Sequence, residues 1–321
     1  MISVKAIREG NRRELARLLT LVENDDPQGR APMDELFADT GRAHLVGITG
    51  SPGTGKSSLA NQLARVYRQP PDDTPPSKVA IVAVDPSSPF TGGALLGDRV
   101  RMKDHFNDPG VFIRSMASRG ALGGIARSTA AVVQALDAAG FEVILIETVG
   151  AGQAEVDIAR LAHTTIVVEA PGLGDDIQAI KAGILEIADI LVVNKSDLPG
   201  AENTGRALKA SLEMAHPTRK AGADTKEIWL PPVLLAQSLN AVGITEIHAA
   251  IQSHREYLQR SGEWQRREKE RLESEIEILL QLRMMKSWRS SLPSREWDRV
   301  VKMVNERKLS PDQAVDALLK R

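Results

Sequence analysis

Residues 50–57 read Gly50-Ser51-Pro52-Gly53-Thr54-Gly55-Lys56-Ser57, which fits the pattern G-x-x-x-x-G-K-[ST]. Glycines in such a loop let backbone N–H groups turn inward around phosphate oxygens, and a helix starting at its end adds partial positive charge. Lys56 then reaches the outer phosphates, and the Ser57 hydroxyl offers a ligand to Mg²⁺. Ser58 joins the same nucleotide-binding set. The plain alternative is a tight glycine-rich turn that binds nothing, but an apolar run before the loop and a helical pattern after it supply the context that a phosphate loop requires.

A phosphate site needs carboxylates for the metal and a group that senses the outer phosphate. The run Val143-Ile144-Leu145-Ile146-Glu147-Thr148-Val149-Gly150 ends an apolar strand in Glu147, a metal and catalytic candidate. Gly150 can present its backbone N–H to the γ phosphate because no side chain blocks the approach. Asp85, at the end of the 79–84 strand, and Asp98, in a glycine-rich run, are two further metal candidates. Each also suits a solvated cap, Asp98 at the start of a helix after Gly97. Gln153 could orient the attacking water, although it stands three residues beyond Gly150. Arg101 could meet transition-state charge, and it suits an exposed surface arginine as well.

Asn194-Lys195-Ser196-Asp197 follows the 190–193 strand as an N-K-x-D tetrapeptide. One carboxylate accepts both N1–H and the N2 amino group of guanine, whereas adenine offers an acceptor at N1, so Asp197 selects GTP. Lys195 can lay its stem along the base, and Asn194 can tie this loop to the phosphate loop. Gln237, Ser238 and Leu239, after the last strand, complete the base-side set.

These residues need a scaffold that brings several strand ends together. Apolar runs at 44–49, 79–84, 143–146, 165–168, 190–193 and 232–236 read as buried parallel strands. Helical patterns at 56–67, 124–139, 177–186, 201–215 and 244–257 lie between or after them, so the expected fold is a doubly wound α/β P-loop NTPase with a mostly parallel sheet. A helical N-terminal extension is expected at 1–42, the nucleotide domain at 43–258, and a helical arm at 259–321. The arm opens on a balanced mixed-charge stretch, followed by Leu272, Ile276, Leu279, Leu280 and Met284 as an apolar seam. That seam suits packing on its own domain or an oligomer contact.

Composition removes whole classes of function. The 321 residues carry a net charge of −1 and are 42% hydrophobic and 26% charged, which gives no electrostatic case for nucleic acid. No apolar run approaches a membrane span, and the absence of cysteine suits a reducing cytoplasm. Zero cysteines and six histidines spread along the sequence also argue against a metal-delivery role.

Taken in order, the three motifs resemble the MeaB/ArgK family of GTPases, chaperones of adenosylcobalamin-dependent acyl-CoA mutases. The likeness extends through Val84-Asp85-Pro86-Ser87-Ser88, Gly97-Asp98, Arg101-Met102, Leu122-Gly123-Gly124, Glu147 to Gln153, Glu155, and the run from Gly172 to Lys181. The resemblance implies Mg²⁺ with GTP or GDP as ligand, a mutase partner such as methylmalonyl-CoA mutase, a homodimer through the arm, and no cobalamin held by this chain alone. It also implies that the 172–181 run is an additional switch in which Asp175, Gln178 and Lys181 sense the partner. Relatives usually show Ser-Ala where this chain has Gln237-Ser238, and many carry prolines near 115–119 where this chain has none. A P-loop kinase that passes the γ phosphoryl group to an acceptor is the other enzyme class the phosphate loop permits; the N-K-x-D tetrapeptide argues against it.

Overall fold

The computed structural model describes residues 2–71, 74–86, 105, 107–118, 124–148, 153–172, 185–215 and 228–319. Its frame is a sheet of β1 (His44–Thr49), β2 (Val79–Pro86), β3 (Val111–Ser118), β4 (Val143–Thr148), β5 (Thr164–Glu169), β6 (Ile190–Val193) and β7 (Val233–Leu235). The strand order is β3-β2-β4-β1-β5-β6-β7, with every described pairing parallel. β1, β4 and β6 are buried at every position, which is why they read as unbroken apolar runs.

Alternate side chains along each strand feed different faces. On one face Leu45, Ala80, Val82, Ile144 and Ile146 pack under α1 (Val4–Arg8), α2 (Arg12–Glu23), α3 (Arg30–Leu36), α5 (Gly124–Ala138) and α6 (Gln153–Leu161). Farther along, Val167, Leu191 and Val193 pack with Leu208 and Leu212 of α7 (Ala201–Ala215). The other face sets Val46, Ile48, Ile81, Leu145 and Val168 against α4 (Lys56–Arg68) and α8 (Ile244–Ser261). The expected N-terminal extension is thus helical and closes one face of the sheet.

β3 does not follow from the apolar runs. It is the sheet edge next to β2, and Arg114 interrupts it with a charge that pairs with Glu23 of α2. The Arg12 guanidinium donates to the carbonyls of Asp108, Pro109 and Val111, so α2 also fastens the turn entering that edge.

Contacts divide the chain into two compact units, Met1–Leu272 and Glu273–Arg321. Long α9 (Glu263–Ser291) begins in the first unit, past the boundary expected at 258. In the second unit, α10 (Ser294–Asn305) and α11 (Pro311–Leu319) close a small core of Val300, Ala314 and Leu318 with Trp288, Leu292 and Trp297. Among the described residues no helix is long and apolar enough to cross a membrane.

Candidate nucleotide site

The phosphate loop joins β1 to α4, the central strand to a helix that starts without a side-chain cap. Its first-turn N–H groups therefore face the loop and not a local side chain. Gly50, Gly53 and Gly55 have φ of 130°, 80° and 94°. At two of them space matters too: a Cβ on Gly50 would lie 2.0 Å from the Val168 carbonyl oxygen, and one on Gly55 would lie 2.4 Å from Asn194 Nδ2. The loop is wedged between β5 and the base-side tetrapeptide, and only glycine fits both contacts.

Lys56 is buried, and its Nζ donates to the carbonyls of Gly50 and Ser51 at 2.8 and 2.9 Å. The loop thus holds the ammonium at its own rim. Thr54 Oγ1 also donates to the Ser51 carbonyl, at 3.0 Å. Ser57 Oγ donates to Glu147 Oε1 at 2.5 Å, which joins the first turn of α4 to the end of β4. Parallel pairing makes this possible, since Ile48 of β1 stands opposite Glu147. Thr148, the next residue, donates its hydroxyl to Thr49 Oγ1 at 3.1 Å and locks the two buried strand ends together.

The base side is a chain of bonds centred on Asn194, which is buried at the end of β6. Its Nδ2 donates to the Thr54 carbonyl at 2.7 Å, and its Oδ1 accepts from Ser238 N–H at 3.0 Å and Ser238 Oγ–H at 2.9 Å. Lys195 adopts a φ of 56°, turning the chain so that exposed Asp197 follows. The loop after β7 closes on itself through Gln237 N–H to the Val242 carbonyl and Asn240 Nδ2 to Gln237 Oε1, at 3.0 and 3.2 Å. Leu239 stands at its crest, 85% exposed.

The structure therefore brings together Gly50 to Ser58, Glu147, Asn194, Lys195, Asp197, Gln237, Ser238 and Leu239. Asp85 lies in β2 opposite Ala117 of β3, and Gln153 opens α6; the side chains of both are outside the described residues. Asp98, Arg101, Gly150, Asp175, Gln178 and Lys181 also lie outside them.

A second polar cluster was not visible in the sequence. Three of the six histidines gather at the opposite end of the sheet, where His44 Nε2 meets Thr164 Oγ1 and Thr164 Oγ1 meets His254 Nδ1 at 2.8 and 2.9 Å. His254 Nε2 lies 3.3 Å from Asp189 Oδ1, and both Asp189 oxygens accept from Arg267 in the first turns of α9. His163 Nδ1 accepts from Leu45 N–H, its Nε2 donates to Glu268 at 2.5 Å, and Trp264 stacks on its ring at 3.9 Å. Burial lowers the pKa of all three imidazoles, that of His254 to about 4. Burial also raises Glu268, but hydrogen bonds from His163 and Arg271 outweigh that and bring it to about 2.

Fold and site together define a P-loop nucleotide-binding protein with a guanine-type base loop. The family described as "Methylmalonyl Co-A mutase-associated GTPase MeaB" matches residues 15–292, so the chain belongs to that family and is a GTPase. A Pyrococcus abyssi protein named as a GTPase is 43% identical over 318 residues, covering 99% of this chain and 95% of its own. The Caenorhabditis elegans "Methylmalonic aciduria type A homolog, mitochondrial" is 30% identical over 285 residues, covering 84% of this chain and 69% of its own. Among solved structures, that of a "LAO/AO transport system kinase" superposes with a TM-score of 0.67 at 26% identity, covering 99% of this chain and 95% of that one.

Proposed function

We propose that the chain binds Mg·GTP and that its hydrolysis gates adenosylcobalamin loading, and removal of spoiled cofactor, on a partner acyl-CoA mutase. The observation that carries this reading is the closed circuit from Gly55 through Asn194 to Ser238, which makes one site of the phosphate loop and the base loop. The family description and the aciduria-related relative support methylmalonyl-CoA mutase, or a close relation of it, as the partner.

The residues present fit a magnesium ion. Ser57 Oγ and Glu147 Oε1 are hard oxygen donors brought to 2.5 Å at the mouth of the phosphate loop, and Asp85 and Asp98 are the further carboxylates assigned to it. Bound there, Mg²⁺ would neutralise charge on the phosphate oxygens. The P-loop N–H groups hold the phosphates, and Lys56 turns from its rim carbonyls to the β and γ oxygens. Asp197 accepts the two guanine donors while Asn194 and Lys195 hold the loop. Water attacks the γ phosphorus, the bond to the β-phosphate oxygen breaks, and GDP and inorganic phosphate leave. Gln153 orients that water and Arg101 meets the developing charge. Loss of the γ phosphate frees the Gly150 contact, and Asp175, Gln178 and Lys181 carry the change to the mutase. The arm makes a homodimer, and the protein works in the cytoplasm.

The test is turnover of GTP, with ATP in parallel, by the purified chain alone and with a cobalamin-dependent mutase. Slow GTP-specific hydrolysis that rises many-fold with the mutase is expected. No stimulation by any such mutase, or phosphate appearing on an added acceptor, would overturn the chaperone reading in favour of a kinase.

A further inference from the structure

We infer that the hydroxyls of Thr49 and Thr148 form a positioning clasp across the nucleotide site, holding its phosphate-binding half at the spacing its metal-binding half requires. The inference rests on the Mg·GTP reading above and adds two residues to which that reading gives no part.

The strand order divides the site. The phosphate loop leaves β1 and the base-side loops leave β6 and β7, all on one side of the line between β1 and β4. Glu147 stands at the end of β4 and Asp85 near the end of β2, both on the other side. A nucleotide gripped through phosphates and base by the first group, and through Mg²⁺ by the second, lies across that line. The backbone ladder between β1 and β4 runs only as far as Ile48 and Glu147. Beyond it Thr49 stays paired with Val167 of β5 and Thr148 with Val84 of β2, so each strand end is held by its outer neighbour.

Two side-chain bonds cross the line there. Glu147 and Thr148 are consecutive in a strand, so their side chains leave on opposite faces of the sheet. On the face under α4, Ser57 donates to Glu147, and that bond uses the oxygens that fit Mg²⁺, so it is given up when the metal binds. On the other face Thr148 donates to Thr49 at 3.1 Å, and that bond uses no ligand oxygen, so it persists with the metal bound. Thr49 is 0% and Thr148 2% exposed, so water does not compete for it. Thr49 directly precedes Gly50, whose carbonyl holds Lys56, and Thr148 directly follows Glu147. The clasp thus joins the entrance of the phosphate loop to the metal carboxylate.

The experiment titrates fluorescent GDP against the full chain in EDTA and in excess Mg²⁺, and follows GTP turnover as Mg²⁺ is raised. The variants are Thr148→Val, Thr49→Val, the two together, and Thr148→Ser. Valine keeps the shape and removes the hydroxyl, whereas serine keeps the hydroxyl. In Thr148→Val, GDP affinity in EDTA should hold, because phosphates and base are gripped on one side of the line. The gain in affinity that Mg²⁺ brings should fall about fivefold, the weight of one net hydrogen bond, and kcat should fall with little change in KM for GTP. Thr148→Ser should restore most of both. Each single valine variant leaves a buried hydroxyl without its partner and should melt lower. The double variant leaves none, and should recover much of the melting temperature without recovering the Mg²⁺ response. Recovery of both together would mean a role in folding alone and would overturn the inference. So would equal losses of GDP affinity in EDTA and in Mg²⁺, or an unaltered Mg²⁺ response in the single variants. If the unaltered chain binds GDP equally with and without Mg²⁺ and hydrolyses GTP in EDTA, the Mg·GTP reading falls first and this inference with it.

Discussion

At the residue scale, the phosphate loop shows how a short pattern can carry its own geometry. Gly50 and Gly53 both have positive φ, but a Cβ on Gly50 meets the Val168 carbonyl at 2.0 Å, whereas one on Gly53 meets nothing within 4 Å. Gly53→Ala should therefore cost only the left-handed conformation, about 1 kcal/mol. Gly50→Ala adds a backbone collision and should cost about 3 kcal/mol, read as a lower denaturant midpoint and a loss of GDP binding. Equal costs at the two positions would show that the loop gives way to the methyl group. These residues were legible because the chemistry fixes their type: a loop that wraps phosphate needs glycines, and a guanine reader needs a carboxylate. Ser238 was legible as a member of the base-side set from its place after the last strand, but its bonds to Asn194 were not. Its two bonds to Asn194 join residues 44 apart in sequence, a distance no local pattern encodes.

At the element scale, most of the strands that were read correctly are buried along nearly their whole length, and β7, an edge, was read from its apolar run although it is only partly buried. β3 was missed because Arg114 breaks its apolar run in mid-strand, a charge this edge tolerates once α2 supplies Glu23 to pair with it. Helix α6, which opens at Gln153, is not among the helical patterns read from the sequence. The root of α9 escaped notice for a different reason. Its anchor is a cluster drawn from β1, β5, β6, α8 and α9, and its members look scattered in sequence. That cluster makes a pH prediction with a definite sign. His254 is lowered from 6.5 to about 4 by burial, with Arg267 and His163 lowering it further and Asp189 opposing them. His44 and His163 are lowered in the same direction. The unfolded chain therefore binds protons first as pH falls, so the stability from neutral buried imidazoles is complete above 6.5 and is lost down to about 4. Each imidazole can contribute at most about 1.4 kcal/mol per pH unit within that window. Glu268 extends the loss, since its stabilisation is present above 4.5 and disappears as pH falls to about 2. Urea midpoints measured from pH 7.5 to 4 should fall steadily for the unaltered chain and less steeply for His254→Gln. Parallel curves for the two proteins would remove His254 from the account.

At the scale of the whole molecule, the second unit carries apolar surface that its own small core does not cover. Ile276, Leu280 and Met284 are 63%, 55% and 62% exposed, and their spacing of four sets them in one row along α9. Met285 beside them is 61% exposed. The other half of the seam read from the sequence behaves differently, since Leu272 and Leu279 are partly buried. The helix thus covers part of its apolar face within the chain and leaves the rest open, which is the pattern of a surface that meets a partner. A second copy of the chain is the partner proposed here, because the flanking charges on α9 balance and like helices can then approach without repulsion. Burying three such side chains per copy is worth about 1.5–3 kcal/mol each, enough to hold a dimer at micromolar concentration once the cost of association is met. The double variant Ile276→Glu with Leu280→Glu should sediment as a monomer at concentrations where the unaltered chain sediments as a dimer. Basal GTP turnover should be the same in both, because no residue of the nucleotide site lies on α9. A variant that still sediments as a dimer would move the contact elsewhere on the molecule. A monomeric unaltered chain would leave the open row to the mutase, and stimulation of hydrolysis by the mutase should then fall with the double substitution.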